Sequence, residues 1–348
     1  MNAVAQFVFS DLKVESRVFK EADALMSAGV VDTAVCFGRG PADFEESHKS
    51  IDGLTIRYVR SPRVPLVPHR IAQVMEAVKW TYSVCKAAKR MKPVLIQAHD
   101  LSALPAGVIA KWMTKAKLHY DAHELGSERT GWPPVLRLLA RTTERILVPQ
   151  ADLFTTVSPS IAQWYAREFG CETPTLVLNA TDKAGFIPVA KDYFRSTYSI
   201  PETALVFIYV GLMDKGRGID WILDVFGQPG CRHHVVFMGF GALTEKVEGA
   251  SRSHGNIHLH KAVPANEVAR YSAGADVGLV TIEPVSQSYL YAMPNKMFEC
   301  RMAGIPVIVT NLPDMANMIE TYGGGWTVEP NANALADLVG QLDREKVN

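Results

Sequence analysis

Short apolar runs alternate with stretches of helical periodicity from one end of the chain to the other. Ala5-Gln6-Phe7-Val8-Phe9 reads as a strand, 15–28 as a helix ended by Gly29, and 31–37 as the next strand. A buried strand over 94–98 precedes a helix over 101–113, a strand over 117–120 and a long helix over 134–147. Phe154-Thr155-Thr156-Val157 then leads into Ser158-Pro159, an N-cap followed by Pro at the first helical position. This first series closes near Leu176-Val177-Leu178-Asn179. A second opens with a strand over 204–210 and continues with helix 218–227, strand 234–238, helix 242–250 and strand 256–259. Strand 277–280, a helix around Glu299, strand 306–309 and helix 333–343 complete it. Such alternation marks βαβ units and parallel sheets, so the fold class is α/β, doubly wound. Pro188 and Pro201 bracket a polar stretch between the series, and the expected domains are 1–180 and 181–348.

Composition changes this picture only at the margins. A chain of 348 residues, 48% hydrophobic and 21% charged, has material for two cores. Its formal net charge is zero, which argues against a nucleic-acid partner bound by phosphate neutralisation. Charge is uneven, however. Residues 1–175 carry 22 Lys and Arg against 18 Asp and Glu, and within 57–92 nine basic residues from Arg57 through Arg63 and Arg70 to Lys92 face one acid, Glu76. In that segment Ile71, Val74, Met75, Val78, Tyr82 and Cys85 recur at helical spacing. The plainer reading is a core-packed helix with a solvated basic face; the other is a surface for anionic lipid or an anionic acceptor. Five scattered cysteines without a C-x-x-C pair fit a reducing compartment. No apolar run approaches membrane-spanning length and no leader pattern opens the chain, so a cytoplasmic location is expected.

Three segments carry candidate chemistry. Pro294-Asn295-Lys296-Met297-Phe298-Glu299 runs into Ala303-Gly304-Ile305-Pro306-Val307: a polar turn, a helix with one carboxylate, a small-residue break, an apolar strand. N–H groups at the helix start attract phosphate, Lys296 adds a point charge, and Glu299 can accept from ribose hydroxyls. An ordinary helix start with an exposed Glu is the alternative. The loop from Gly211 through Gly216-Arg217-Gly218 joins a strand to a helix; its glycines allow an anion close to the backbone, and Arg217 can hold two phosphate oxygens. A further turn, Met238-Gly239-Phe240-Gly241, is weaker evidence of the same kind. In the first half, His99-Asp100 and Asp121-Ala122-His123-Glu124 close successive strands, where open α/β sheets present ligand sites. Catalysis or acceptor binding is weighed there against helix capping by Asp100 and packed histidines. D-x-D, G-x-S-x-G and zinc-ligand spacings are absent, so no metal is expected.

Taken in order, these segments resemble family-4 retaining glycosyltransferases. Gly211 to Asp220 is similar to that family's diphosphate loop, 256–263 to its nucleobase-contacting strand and turn, and 294–308 to its donor-binding glutamate helix. Ser16-Arg17-Val18-Phe19, Ala98-His99-Asp100 and Tyr120-Asp121-Ala122-His123-Glu124 resemble stretches of its bacterial members. The resemblance implies the GT-B architecture, two Rossmann-like domains facing each other across a cleft, with the acceptor on the first domain and the donor on the second. It implies transfer from a nucleoside-diphosphate sugar to a saccharide or lipid-linked acceptor in cell-surface polysaccharide or lipopolysaccharide assembly, without a metal or other cofactor. Donor-binding roles fall to Gly211, Arg217, Gly218, Lys261, Val263, Tyr291, Asn295, Lys296 and Glu299; catalytic or acceptor-side roles fall to His123, Asp121, His99 and Asp100. Glu299 matches the second glutamate of the family's E-x7-E motif, but the first falls on Tyr291, and Leu212 stands where a second diphosphate-binding Arg is common. A nucleotide-sugar epimerase or hydrolase and an inactive nucleotide-sugar-binding subunit remain the alternatives.

Overall fold

The structure, a computed structural model, describes residues 2–12, 15–40, 49–51, 54–60, 69–180 and 186–347. It divides into two compact units, Met1–Val177 and Leu178–Asn348.

The first unit runs β1 (Ala3–Val8), α1 (Ser16–Ser27), β2 (Thr33–Gly40), β3 (Lys49–Ile51), β4 (Leu54–Arg60), α2 (His69–Met91), β5 (Leu95–His99), α3 (Asp100–Thr114), β6 (Lys117–Ala122), α4 (Pro134–Leu147), β7 (Leu153–Thr156), α5 (Pro159–Phe169) and β8 (Thr175–Leu176). Its eight strands lie in the order β3-β4-β2-β1-β5-β6-β7-β8, all parallel except β3. Chain order therefore reverses direction between β1 and β5, and His99 at the end of β5 is in register with Val8 at the end of β1. An open sheet leaves its crevice at such a point.

The second unit runs α6 (Tyr193–Tyr198), β9 (Val206–Leu212), α7 (Ile219–Phe226), β10 (His234–Phe240), α8 (Thr244–Ser253), β11 (Ile257–His260), α9 (Val268–Ser272), β12 (Val277–Val280), α10 (Gln287–Leu290), α11 (Asn295–Met302), β13 (Val307–Thr310), α12 (Pro313–Tyr322), β14 (Gly325–Val328), α13 (Ala332–Gln341) and α14 (Arg344–Val347). Its six parallel strands are ordered β11-β10-β9-β12-β13-β14, with the reversal between β9 and β12. Alternate residues of β9 feed two cores: Val206, Ile208 and Val210 pack with Met297 and Val307 on one face, Phe207 and Tyr209 with Phe226 and Leu335 on the other. This is the buried-on-both-sides pattern of parallel strands.

The basic segment 57–92 departs from its plainer reading. Arg57 lies on β4, Arg63 is outside the described residues, and the helix begins at His69. Its apolar stripe is not packed: Ile71, Val74, Met75, Val78 and Tyr82 are exposed, Val78 by 63%. The helix seats a second stripe instead, Trp80, Val84, Cys85 and Ala88, and the Cys85 thiol reaches the Ala106 carbonyl of α3. Trp80 decides the matter, packing edge-on to Phe7 and Phe9 and donating to the Gly38 carbonyl. On α4, too, Val135, Leu138, Leu139 and Ile146 lie in solvent while Ala140 and Glu144 turn inward.

The glycine turn after β10 also reads differently. A Cβ on Gly239 would sit 1.9 Å from the Gly211 carbonyl oxygen, so that glycine serves close approach of β10 to β9.

Candidate functional site

In the second unit the polar groups gather at the β9/β12 reversal. Gly218 is the N-cap of α7 with φ of +68°, and a Cβ there would meet Thr281 at 2.5 Å, so only glycine fits. The loop is tied to the segment after β12: Thr281 Oγ1 donates to the Arg217 carbonyl (3.0 Å) and the Glu283 N–H to that of Gly216 (3.0 Å). The Arg217 guanidinium lies over the Tyr289 ring, 5.2 Å from its centroid, with Nε buried and unbonded. Lys296, in the first turn of α11, is buried, and its Nζ sits 3.6 Å from the Tyr209 ring centroid without a hydrogen-bond partner. Burial, and then the neighbouring Arg217 charge, hold the ammonium well below its usual pKa, partly offset by Cys300 and Glu299. Two basic groups with unspent donors are thus brought together on aromatic faces, an arrangement that an anion would complete.

The other candidates of this unit fall unevenly around that pair. Gly211 is exposed at the end of β9 with φ of +104°; Asn295 is exposed at the start of α11, and Glu299 and Tyr291 are half-buried. Lys261 and Val263 follow β11, two strands from β9; Lys261 is exposed and Val263 leans on the core.

In the first unit His99, Asp100, Asp121 and His123 meet at the ends of β5 and β6. Asp121 is fully buried and receives Arg17 of α1 through both oxygens, Nε to Oδ2 at 2.7 Å and an Nη to Oδ1 at 2.8 Å. His123 Nε2 donates to Asp121 Oδ2 (2.8 Å), and His99 Nδ1 lies 3.2 Å from the same nitrogen. Asp100 does not cap α3. It takes the left-handed conformation (φ +63°) and turns its Oδ1 onto the His123 N–H (2.9 Å). Burial works against the His123 charge, but Asp100 and Asp121 outweigh it and raise its pKa to about 10. Burial likewise opposes the Asp121 charge, yet His123, His99 and Arg17 hold that carboxyl well below its usual range. His123 is therefore an imidazolium at neutral pH, a donor and not a base. His99, Asp121 and His123 each present a ligand atom within 4.8 Å of the others, a set that suits a divalent ion. Arg17 already occupies both Asp121 oxygens, so an ion would compete with a guanidinium.

Behind this cluster runs a row of buried polar residues that pattern reading passed over. The Cys36 thiol donates to Gln6 Oε1 (2.7 Å), Gln6 Nε2 to Gln97 Oε1 (2.6 Å), and Gln97 Nε2 approaches His119 Nδ1 at 2.9 Å. His119 Nε2 meets Thr155 Oγ1 at 2.7 Å, and Thr155 donates to Asp121 Oδ1 at 2.6 Å. Because Thr155 spends its proton on Asp121, His119 must donate from Nε2 and accept at Nδ1. That is its neutral form, in keeping with a pKa lowered by burial to about 4. Glu21 of α1, beside Arg17, accepts from Gln97 (3.0 Å). Gln6, Gln97 and His119 each interrupt an apolar strand, the one signal in the sequence that marked them.

The description "Glycosyl transferase 4-like domain" matches residues 14–180, and "Glycosyl transferases group 1" matches residues 204–344. No curated protein matches the chain. Among solved structures, sucrose-phosphate synthase from Thermosynechococcus elongatus superposes with a TM-score of 0.81 at 17% identity, covering 98% of this chain and 89% of that one. HepE of Anabaena, solved with UDP and glucose, gives 0.72 at 13% over 97% and 88%. The lipopolysaccharide outer core galactosyltransferase WaaB gives 0.60 at 16% over 99% and 91%. With both halves matched by glycosyltransferase descriptions and two Rossmann-like units shared with these folds, the chain belongs to the family-4-like glycosyltransferases of the GT-B fold.

Proposed function

We propose that this glycosyltransferase moves a sugar from a nucleoside-diphosphate sugar to a saccharide or lipid-linked acceptor, with retention of configuration, in cell-surface polysaccharide or lipopolysaccharide assembly. The observation that carries the reading is the Arg217–Lys296 pair, two cations with unspent donors beside the N-terminus of α7. A diphosphate supplies the missing acceptors. The bond from the sugar's anomeric carbon to the leaving phosphate breaks, the acceptor oxygen bonds that carbon on the same face, and the acceptor's proton passes to the departing phosphate. Arg217 and Lys296 stabilise the charge that develops on the diphosphate, so no metal is required. Glu299 takes the ribose hydroxyls, and Gly211, Asn295, Tyr291, Lys261 and Val263 complete the donor side. In the first unit, His123 supplies a fixed positive charge to the acceptor side, which it forms with His99, Asp100 and Asp121.

The HepE structures with UDP-glucose lend this reading a donor class. Its test is incubation with UDP-, GDP- and ADP-sugars with and without acceptor. Transfer that is lost in Arg217→Ala and Glu299→Ala supports it; an isomerised sugar without acceptor would favour an epimerase, and failure of every nucleotide to bind would end it.

A second observation bears on the acceptor. The exposed stripes of α2 and α4 sit beside Lys79, Lys86, Lys89, Arg90 and Arg145, also exposed. We read this surface as a peripheral contact with anionic lipid at the inner face of the cell membrane. No helix among the described residues is long and apolar enough to cross a membrane.

A further inference from the structure

On the donor reading, Tyr291 stands where a carboxylate is expected for the sugar, yet the structure brings a different carboxylate against the loop that carries Arg217. Glu283 lies three residues beyond β12, half-buried, at the point where strand order reverses. Its N–H donates to the Gly216 carbonyl and its Oε1 accepts the Gly218 N–H at 3.1 Å. Gly218 is the N-cap of α7 and has no side chain, and Trp221, at the third helical position, cannot reach back to that N–H as an acid would. Glu283 fills this capping role from a distant strand with one oxygen.

Its other oxygen makes no hydrogen bond among the described residues. Nor does Glu283 form an ion pair with Arg217 or Lys296, although Arg217 belongs to the loop that it holds. A carboxylate placed there to neutralise the cations would lie within pairing distance of one of them. Instead Arg217 stacks on Tyr289 and Lys296 on Tyr209, leaving them for a ligand's anion and Glu283 as a separate acceptor held against the Arg217 loop. A ligand with a diphosphate at one end and vicinal hydroxyls next to it matches both features.

We propose that Glu283 is a specificity-determining residue for the transferred sugar: Oε1 fixes the phosphate loop through Gly218 while Oε2 accepts from a sugar hydroxyl. This rests on the donor reading of Arg217 and Lys296, and it selects a neutral, hydroxyl-bearing sugar over a uronic acid, whose carboxylate Glu283 would repel.

The test is calorimetric titration of the full chain, wild type and Glu283→Gln, with UDP, GDP and ADP and with the corresponding glucose, galactose and mannose nucleotides. Gln keeps an acceptor for the Gly218 N–H, so the loop stays capped. A charged hydrogen bond converts to a change of about ten- to a hundredfold. The expected result is that the nucleoside-diphosphate Kd stays within about threefold while the ratio of nucleotide-sugar Kd to nucleotide Kd rises at least about tenfold. Equal weakening of both ligands would leave only the capping role and overturn the proposal, as would an unchanged ratio. If the wild type binds no nucleoside diphosphate, the donor reading itself falls, and this inference with it.

Discussion

Lys296→Met separates what the fold needs from what the ligand needs. The Lys296 stem is buried on Tyr209, and Met preserves that apolar volume. What it removes is an ammonium whose three donors have no partner. Such an orphan costs about 1–3 kcal/mol, and the attraction to the Tyr209 face returns up to about 2 kcal/mol. Burial and the neighbouring Arg217 charge both disfavour the ammonium, and these set the expected sign. Lys296→Met is therefore expected to be more stable by about 1 kcal/mol, a rise of about 2–4 °C in the second unit's Tm. The sign follows from linkage. A lysine depressed in the fold costs stability below its unfolded pKa, near 10.4, so the advantage of Met shrinks as pH rises towards that value. On the proposed donor reading, the same variant also lacks a charged partner for the diphosphate and should bind nucleotide about ten- to a hundredfold more weakly. Thermal melts of both proteins at pH 7 and pH 9.5, with and without UDP, GDP and ADP, read all of this at once. A variant that melts several degrees below wild type, or that keeps full nucleotide affinity, refutes the reasoning.

Other expectations follow from the same geometry. Burial, then Asp121, raises Glu21 to about 7, so its contribution to stability is full below pH ~4.3 and lost as pH rises to about 7; Glu21→Gln should flatten the first unit's melting curve across that window. His123, raised to about 10, supplies stability that is full below pH ~6.5 and lost between there and 10, and His123→Gln should abolish that slope. Val78→Asp and Leu138→Asp, both in exposed stripes, should reduce sedimentation with anionic vesicles while leaving Tm within ~0.5 kcal/mol equivalents; unchanged sedimentation would remove the membrane reading.

Much of the architecture was legible because parallel strands buried on both faces read as unbroken apolar runs, as in 204–210 and 306–309. Boundaries moved by up to three residues: β2 ends at Gly40 where 37 was expected, and β9 extends to Leu212, carrying the strand into its own loop. Strands β4 and β14 escaped notice, one for its two arginines, the other for its Gly and Trp. The α2 stripe was seen but its two readings stayed open, since periodicity finds an apolar face without saying which of two faces the bulkiest side chain will seat. In the candidate sites, Arg217 and Lys296 stood beside glycine and proline punctuation that marks a loop. Arg17 and Glu21 did not, because they reach Asp121 and Gln97 across about 100 and 76 residues of chain, and nothing local records such a reach.

The hydrogen-bonded row from Cys36 through Gln6, Gln97, His119 and Thr155 to Asp121 also bears on how this domain can change over time. Replacing any one member by an apolar residue strands a neighbour, at about 1–3 kcal/mol, whereas replacing a whole adjoining set can be nearly neutral. Its members are thus bound to a common fate. A lineage carrying this domain crosses a valley with every single step and none with a block exchange. The interior polar residues of five strands will drift together or stay as they are.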